Sequence, residues 1–313
     1  MTPLMGVAFA PAAQRWLSET TRARVLNVFD RACNLVNLDG QVLSVVTSER
    51  GLTPFAVAVA AGQAAPFRVV TEASPVTVQP TRLGLGPLEI DCSQARLWPS
   101  APDWAAIRRR FADTALIDDM AALAFGRGPA GSLLELFDPA VPPDSAAPSG
   151  PDALGGPLSL SLRERARVGA ADLTAGLQSR NLALATAGAR RLAGAGGGLT
   201  PAGDDFVLGA LLAAWAGLYG PGVEALAGAI AEEAAARTTT LSGAYVRAAA
   251  RGECSAYWHA LFEAWLQPAA AGRRLALETL LAVGHTSGAD ALAGYMAARL
   301  VPRQFNFRPT HIV

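Results

Sequence analysis

The hydrophobic positions in the first third of the chain come in short runs, a pattern typical of β-strands. Val and Leu are concentrated at 24–29, 33–38 and 41–47, and Asp39-Gly40 separates the last two runs. An Asp-Gly pair between two apolar runs is the strongest short-range signal of a β-hairpin. Many short strands separated by Gly, Pro and Ser favour a small barrel or a sandwich. The further runs expected to be strands are 55–60, 67–72, 76–79, 88–91 and 95–98.

The hydrophobic spacing changes from that of a strand to that of a helix after the last of these runs. Trp104, Ile107 and Phe111 recur at helical intervals. Asp103 precedes them and suits an N-cap, because its carboxylate can accept a first-turn N–H group. We therefore expect a helix at about 103–125.

The second half of the chain is rich in Ala, Leu and Arg, which predicts helices. Alanine has the highest helix propensity, and breaks with Gly or Pro recur along 158–300. A segment rich in Pro, Gly, Ser and Asp at 140–157 is typical of a linker. The predicted fold is α+β. It has a β-rich N-terminal domain at 1–139, this linker, an all-α C-terminal domain at 158–300 and a tail at 301–313.

The charge balance of the chain excludes several classes of function. The chain carries 26 basic and 26 acidic side chains, so its formal net charge is zero. A nucleic-acid binder and a polybasic membrane-surface protein both need clustered basic residues, and neither fits. All the cations are arginine, which excludes chemistry that needs a lysine amine. The three cysteines are far apart and no run is long enough to span a membrane, so we expect a cytoplasmic protein.

The first of three candidate sites is a glycine-rich loop before a predicted helix. Gly196, Gly197 and Gly198 permit positive φ angles or a close approach of the backbone to a ligand. Thr200 and Pro201 are typical of a helix start, with a hydroxyl N-cap and proline at the first helical position. Free N–H groups at such a start bind anions. The alternative interpretation is a well-capped helix after a flexible turn.

Two carboxylates, Asp204 and Asp205, follow in the first turn of this helix. The helix dipole favours negative charge at that position. The same charges would repel a phosphate unless a cation lies between them. Asp204 and Asp205 are therefore the candidate metal ligands, with Mg²⁺ as the possible ion and no other cofactor indicated.

The second candidate site is Arg237-Thr238-Thr239, followed by Ser242 and a predicted helix at 241–250. The planar guanidinium offers a fork of donors that matches a phosphate or a carboxylate. Hydroxyls and backbone N–H groups would complete such a cradle. The alternative interpretation is redundant N-capping, with Arg237 closing the C-terminal end of the previous helix.

The third candidate site runs from His285 to Asp290 before another predicted helix. Ser287 and Asp290 resemble a capping box, and Thr286 adds a hydroxyl. His285 could donate to a developing oxyanion or move a proton, because histidine titrates near neutrality. A purely structural histidine is the alternative. Three such helix starts in one domain predict that they meet at one end of a bundle and form a polar pocket.

Four motifs at these positions resemble those of the AllH family. They are GxGLTPxGDDxxxG at 196–209, RTTxLS at 237–242, Gly252-Glu253, and GHTSGxDxLxG at 284–294. The resemblance covers the C-terminal half, and the N-terminal half agrees only in its β character. It implies a subunit of an oxamate carbamoyltransferase, beside AllF- and AllG-like chains, in allantoin and purine breakdown. The implied reaction is phosphorolysis of oxalurate to oxamate and carbamoyl phosphate.

This reaction needs an anion cradle, donors for a carbamoyl oxygen and donors for a second carboxylate. His285 could polarise the carbonyl, as in an oxyanion hole. Asp204, Asp205 and Asp290 could orient cations or the carbamoyl nitrogen, and Asp205 and Asp290 are the catalytic candidates beside His285. The candidate ligands of phosphate, carbamoyl phosphate and the small carboxylate substrate are Gly196, Gly197, Gly198, Thr200, Arg237, Thr238, Thr239, Ser242, Thr286 and Ser287.

Two other functions stay open on the sequence alone. Asp204, Asp205 and Asp290 also suit a stand-alone hydrolase that holds Mg²⁺ with aspartates at helix starts. A non-catalytic subunit would only bind a metabolite or stabilise a complex. A response to Mg²⁺ favours the hydrolase, whereas activity only after mixing of subunits favours the carbamoyltransferase.

Overall fold

The chain has the α+β architecture expected from its sequence, with a barrel-like β part followed by helices. The computed structural model describes residues 2–60, 65–138, 160–218, 222–267 and 272–300. The predicted linker at 140–157 and tail at 301–313 lie outside the described residues. The first of two compact units comprises Met1–Pro102 and Glu253–His259, and the second comprises Asp103–Gly252 and Ala260–Val313.

The first unit is built on a nine-stranded sheet. Its strands are β1 (Thr2–Phe9), β2 (Ala23–Phe29), β3 (Ala32–Asn37), β4 (Val42–Thr47), β5 (Ala56–Val59), β6 (Val76–Gln79), β7 (Arg82–Leu85), β8 (Leu88–Asp91) and β9 (Arg96–Leu97). The strand order is β2-β3-β4-β5-β1-β8-β7-β6, with β9 beside β1. Because the end strands β2 and β6 approach each other, the sheet is nearly closed into a barrel.

Most of the predicted strands are present, and one is wrong. Asp39-Gly40 connects β3 and β4 in an antiparallel hairpin, and Gly40 has the φ of +74° that favours glycine. The run at 67–72 is not a strand, since a 3-10 turn occupies Pro66–Val69. Proline restricts φ and lacks the N–H group that a central strand needs, which explains the difference. Phe67 still packs into the barrel core.

Three elements of this unit were not predicted from the sequence. They are the strands β1 and β7 and the helix α1 (Pro11–Glu19). Pro11 occupies the first turn of α1, where its missing N–H group costs nothing. Trp16 and Leu17 are buried in the same core as the strands. The helix therefore packs an apolar face against the barrel. With nine residues it is too short for its helical spacing of apolar residues to be recognised in the sequence.

The second unit is helical, as expected. Its remaining elements include a 3-10 turn at Leu133–Phe137 and a π-helical stretch at Ala214–Leu218. No helix within the described ranges has the length and apolar content needed to cross a membrane. The helices are α2 (Trp104–Arg110), α3 (Ala115–Ala124), α4 (Leu160–Ser179), α5 (Leu182–Leu192), α6 (Ala202–Ala213), α7 (Val223–Ala235), α8 (Thr240–Ala250), α9 (Ala256–Leu266, which begins in the first unit), α10 (Arg273–Leu281) and α11 (Ser287–Arg299).

The helix expected at 103–125 is divided into α2 and α3. Asp103 caps α2 as expected, because its carboxylate accepts the Ala106 N–H at 2.9 Å. The Trp104 indole donates to the Gly252 carbonyl at 2.8 Å. This contact places α2 in the helical unit, whereas the β-rich domain was expected to extend to residue 139.

Helices α6 and α11 cross in direct backbone contact. A Cβ on Gly209 would lie 1.7 Å from the Ala291 carbonyl oxygen, and a Cβ on Gly294 would lie 2.0 Å from the Phe206 carbonyl oxygen. Only glycine permits that approach on either helix. The two glycines thus bring the axes together and set the N-terminal ends of both helices side by side.

Candidate functional site

The N-terminal ends of α6, α8 and α11 meet in one polar cluster of the helical unit. The hydroxyl oxygens of Thr200 and Ser287 lie 2.9 Å apart and join the starts of α6 and α11. The Thr239 hydroxyl donates to the Leu199 carbonyl at 2.6 Å and joins α8 to the loop before α6. We call residues 194–205, 238–242 and 285–290 together the helix-start cluster.

Asp204 ties the first loop to the second. It is 1% exposed, and its Oδ1 accepts the Gly194 N–H at 3.0 Å. Its Oδ2 accepts the Ser242 hydroxyl at 3.0 Å and the Thr238 hydroxyl. Burial raises the pKa of Asp204, and these three hydrogen bonds oppose the rise. With three donors on its two oxygens, this carboxylate holds the loops in place.

Asp205 and Asp290 each keep one buried oxygen that has no hydrogen-bond partner in the described part of the chain. The oxygen is Oδ2 in both residues, which are 7% and 0% exposed. Asp290 Oδ1 accepts the Leu133 N–H at 2.6 Å, and the Ser287 and Thr200 hydroxyls lie close enough to Asp205 to oppose a rise of its pKa. A buried polar atom without a partner costs about 1–3 kcal/mol, so both oxygens need a proton or an external donor.

Burial raises the pKa of both carboxyls. For Asp290 the pKa rises to about 6, although the Leu133 N–H, the Thr286 hydroxyl and the charge of His285 oppose the rise. For Asp205, burial and then the negative charge of Asp290 raise the pKa well above its usual range. Two neighbouring buried carboxyls do not both ionise readily, so the negative charge of Asp290 opposes the ionisation of Asp205.

The glycine-rich loop leaves its backbone donors open. Gly196 and Gly198 have φ angles of +120° and +85°, and a Cβ on Gly196 would lie 2.8 Å from the Ala202 nitrogen. Among the described residues, the N–H groups of Gly197 and Gly198 have no acceptor, and both glycines are exposed. These N–H groups are available to an anion at the start of α6.

The capping roles differ from those expected for two of the three loops. Pro201 rather than Thr200 is the N-cap of α6, and the Thr200 hydroxyl contacts Ser287 instead. Ser287 and Asp290 form no capping box, because the Asp290 carboxylate turns inward to the Leu133 N–H. Thr239 is a true N-cap, since its hydroxyl oxygen accepts the Ser242 N–H at 3.1 Å.

Arg237 does not point into the cluster, contrary to the expectation. Its Nη1 lies 2.7 Å from Glu233 Oε1 and donates to the Glu233 carbonyl at 2.9 Å. The side chain is 43% exposed. Glu233 lies one turn earlier on α7, and its carboxylate and carbonyl attract the guanidinium back to the end of that helix. Only the Arg237 backbone adjoins the cluster, where a Cβ on Gly194 would lie 2.8 Å from the Arg237 carbonyl oxygen.

His285 and Thr286 lie at the rim of the cluster. His285 is exposed and Thr286 is half-buried. Both act on Asp290, His285 by its charge and Thr286 by a hydrogen bond. The structure therefore brings His285 near a buried carboxyl while leaving its ring accessible to a ligand.

Two residues of this region were missed by the sequence analysis. Leu133 reaches Asp290 from 157 positions earlier in the chain. Arg165 on α4 donates to the Arg191 carbonyl at 2.6 Å and the Ala193 carbonyl at 2.9 Å, and its charge lowers the pKa of Asp204. Neither residue adjoins a motif, and no local pattern distinguishes either from its neighbours.

The structure offers no preformed ligand set for the expected Mg²⁺. Across residues 2–60, 65–138, 160–218, 222–267 and 272–300, no group of three or more His, Cys, Asp or Glu side chains is arranged to hold a metal ion. The oxygens of Asp204 already accept three hydrogen bonds. The metal role of Asp204 and Asp205 therefore stays a prediction from sequence.

These observations define a chain of two units, a barrel-like β unit and a helical unit in which three helix starts form one polar cluster. The chain belongs to the AllH family. Residues 192–299 match the family described as oxamate carbamoyltransferase subunit AllH, and residues 6–97 match the AllH family N-terminal domain. The similarity thus extends into the β unit, beyond the C-terminal half where the motifs lie. No solved structure was found to match the chain.

Proposed function

We propose that this chain is a subunit of an oxamate carbamoyltransferase complex and binds phosphate and the carbamoyl group at its helix-start cluster. The family description supports a subunit of that enzyme. The proposed partners are AllF- and AllG-like chains. The proposed reaction is the phosphorolysis of oxalurate to oxamate and carbamoyl phosphate, in allantoin and purine breakdown.

The observation that carries the proposal is the meeting of three helix N-termini around hydroxyls and open N–H groups. Each N-terminus contributes partial positive charge and unsatisfied N–H donors, and three together favour an oxyanion. Gly197 and Gly198 supply open N–H groups, and Thr200 and Ser287 supply hydroxyls. A proton on the Asp205–Asp290 pair removes much of the negative charge that would otherwise repel phosphate.

The proposed chemistry moves one proton across the reacting group. A phosphate oxygen bonds to the carbamoyl carbon of oxalurate, and the bond from that carbon to the oxamate nitrogen breaks. The nitrogen keeps the electron pair and takes up a proton, while hydrogen phosphate gives one up. A carboxyl pair that shares a proton can supply the proton that the nitrogen takes up. It can then accept the proton that hydrogen phosphate gives up. In this proposal Asp205 acts through the Ser287 and Thr200 hydroxyls, and Asp290 acts through the Thr286 hydroxyl.

His285 is the proposed donor to the carbamoyl oxygen. Its exposed position at the rim leaves the ring free to approach a bound carbonyl. Loss of one oxyanion donor typically lowers kcat by roughly 10²–10³-fold. Arg237 is a further proposed phosphate ligand. Its guanidinium must first break the ion pair with Glu233 before it can reach the phosphate.

Reconstitution tests the proposal. The purified chain is mixed with its AllF- and AllG-like partners, and carbamoyl phosphate formed from oxalurate and phosphate is measured. We expect activity only when all three chains are present. Ser287→Ala is expected to reduce it strongly, and Ser18→Ala, at an exposed hydroxyl of the β unit, is the matched control. Full activity of the mixture without this chain would contradict the proposal.

The same reconstitution assay distinguishes the carbamoyltransferase from the two alternatives, a Mg²⁺-dependent hydrolase and a non-catalytic subunit. Hydrolysis of oxalurate by this chain alone, abolished by a chelator and restored by Mg²⁺, would favour the hydrolase. Full activity in the complex with both His285→Ala and Ser287→Ala would favour a subunit that only binds a metabolite or stabilises the assembly. A thermal-shift series with phosphate, carbamoyl phosphate, oxamate, oxalurate and Mg²⁺ identifies the ligand, because one that binds the native state raises its stability.

A further inference from the structure

A groove between α7 and α8 lies in the helical unit, away from the helix-start cluster. Its volume is about 470 Å³, within the range of roughly 300–1,000 Å³ that small-molecule sites occupy. Arg251 follows the last residue of α8 and lines the groove, whereas Thr239 precedes the first residue and belongs to the cluster. The eleven residues of α8 separate the two sites by about 15 Å.

Helices α7 and α8 pack against each other in a defined register. A Cβ on Gly243 would lie 3.3 Å from the Cβ of Ala235. Further from the connecting loop, Glu232 accepts two hydrogen bonds from Arg247, at 2.8 and 2.9 Å. Both pairs fit an antiparallel arrangement, in which residues progressively earlier on α7 lie opposite residues progressively later on α8. The Glu232–Arg247 ion pair joins the two walls of the groove, and the register continues beyond it.

A glycine occupies the position where the next pair of side chains would meet. One turn beyond the ion pair, Gly228 on α7 lies opposite Arg251 at the end of α8, and both line the groove. Nothing lies within 4 Å of the position that a Gly228 Cβ would take. Glycine inside a helix lowers its stability relative to alanine, and here neither a close contact nor a positive φ requires it. The glycine therefore keeps the groove open.

Trp215 supplies an aromatic surface in the groove. Its indole N–H donates to the Ala250 carbonyl at 3.2 Å. A Cβ on Gly252 would lie 3.0 Å from the Trp215 ring, so the glycine of the Gly252-Glu253 motif lets the indole pack against the end of α8. Trp215 is half-buried, which leaves part of its ring accessible. A fixed ring whose polar atom already has a partner favours an apolar group of a ligand.

The groove carries a carboxylate on one wall and a guanidinium on the other. Glu224 lies one turn before Gly228 on α7 and is exposed. Within the described ranges, its carboxylate has no hydrogen bond or ion pair. Arg251 on α8 is also exposed, and its five N–H donors allow it to bind a ligand besides its contact within the protein. A ligand that bridges the walls needs a cationic N–H group for Glu224 and an anionic oxygen for Arg251.

We propose that this groove binds an α-amino acid with an apolar side chain. The ammonium group pairs with Glu224, and the carboxylate takes the planar fork of Arg251. The side chain occupies the space left by Gly228 and packs against Trp215. A simple anion or a simple cation would leave one wall unmatched. The site is separate from the helix-start cluster and does not depend on the reaction proposed there.

Calorimetry of the full chain with L-phenylalanine and two analogues tests the assignment. 2-Phenylethylamine lacks the carboxylate, and 3-phenylpropanoate lacks the ammonium group. We expect saturable binding of L-phenylalanine. Each analogue should bind about tenfold more weakly or worse, because each loses a charge-assisted hydrogen bond.

Two variants and one control assign the binding to the groove. Gly228→Leu should abolish binding of L-phenylalanine without lowering the thermal midpoint, because leucine fills the groove and has a higher helix propensity than glycine. Ala225→Leu makes a similar change at an exposed position of α7 outside the groove and should bind like the parent protein. Glu224→Gln should weaken binding of L-phenylalanine about tenfold but leave that of 3-phenylpropanoate unchanged, since the latter has no ammonium group.

Four results would overturn the proposal. One is the absence of saturable L-phenylalanine binding, and another is undiminished binding in Gly228→Leu, which would place the ligand elsewhere. Equal binding of 2-phenylethylamine would assign the groove to a simple cation, and equal binding of 3-phenylpropanoate would assign it to a simple anion. Synthesis of carbamoyl phosphate by the complex would stand in each case.

Discussion

Thr200 and Ser287 place their hydroxyl oxygens 2.9 Å apart across 87 residues of sequence. The contact marks the point where α6 and α11 begin side by side. It exists because Gly209 and Gly294 let the two helix backbones touch further along. The polar chemistry at the helix starts thus depends on glycines in the apolar part of the same helices.

Gly209→Ala is expected to destabilise the helical unit severely. The new methyl group would lie 1.7 Å from the Ala291 carbonyl oxygen, so one helix must move. Over-packing of this kind costs about 1–3 kcal/mol or more in unfolding free energy, measurable by denaturant titration. Gly228→Ala on α7 is the matched control, because nothing lies within 4 Å of its Cβ position. That variant should gain about 0.5–1 kcal/mol, and equal losses in both would contradict the role of Gly209.

Asp290→Asn should change how stability depends on pH. The folded-state pKa of about 6 is raised above the unfolded value, so the neutral form stabilises the fold. That stability is fully present below about pH 4 and is lost as pH rises through about 6. Relative to Asp290→Asn, the unfolding free energy of the parent protein should fall by about 3 kcal/mol across this window. If the unfolding free energies of the two proteins changed with pH in the same way, burial of Asp290 would make no contribution to the pH dependence of stability.

Ser242→Ala is expected to loosen the connection between the first two loops. Ser242 is 1% exposed and donates to Asp204 Oδ2 at 3.0 Å. Removing a donor from a buried carboxylate costs about 1.5–3 kcal/mol. Ser18→Ala removes an exposed hydroxyl that donates to the Arg15 carbonyl and should change stability by less than about 0.5 kcal/mol. Similar unfolding free energies for the two variants would argue against Asp204 as the link.

The pair of Arg237 and Glu233 predicts opposite effects of two substitutions on phosphate affinity. Arg237→Lys loses the planar fork and should weaken binding by about 1–3 kcal/mol. Glu233→Gln releases the guanidinium and should strengthen binding several-fold. Glu232→Gln is the neighbouring control, since Glu232 pairs with Arg247 at 2.8 Å instead. If Arg237→Lys and Glu233→Gln both bind phosphate like the parent protein, Arg237 has no part in the site.

Local signals in the sequence account for much of the fold and for the residues of the cluster. The Asp39-Gly40 turn and the glycine, threonine and aspartate residues at three helix starts act over a few positions, so they can be recognised without a structure. The strand expected at 67–72 was wrong because Pro66 outweighed the apolar pattern after it.

The arrangement within the cluster depends on contacts between distant segments. Leu133 reaches Asp290 from another part of the chain, and Glu233 turns Arg237 away from the position its fork suggested. Thr200 contacts Ser287 rather than capping its own helix. In each case the partner lies outside the local motif, so the motif alone could not predict the contact.

Amide NMR of the isotopically labelled chain during a phosphate titration tests most directly whether the three helix starts bind one anion. The resonances of Gly198, Thr238 and Thr286 each report on a different loop of the helix-start cluster. We expect saturable shifts at all three with a single dissociation constant, and no comparable shift at Gly40 in the β unit. Shifts at only one loop, or none that saturate, would contradict a common phosphate site.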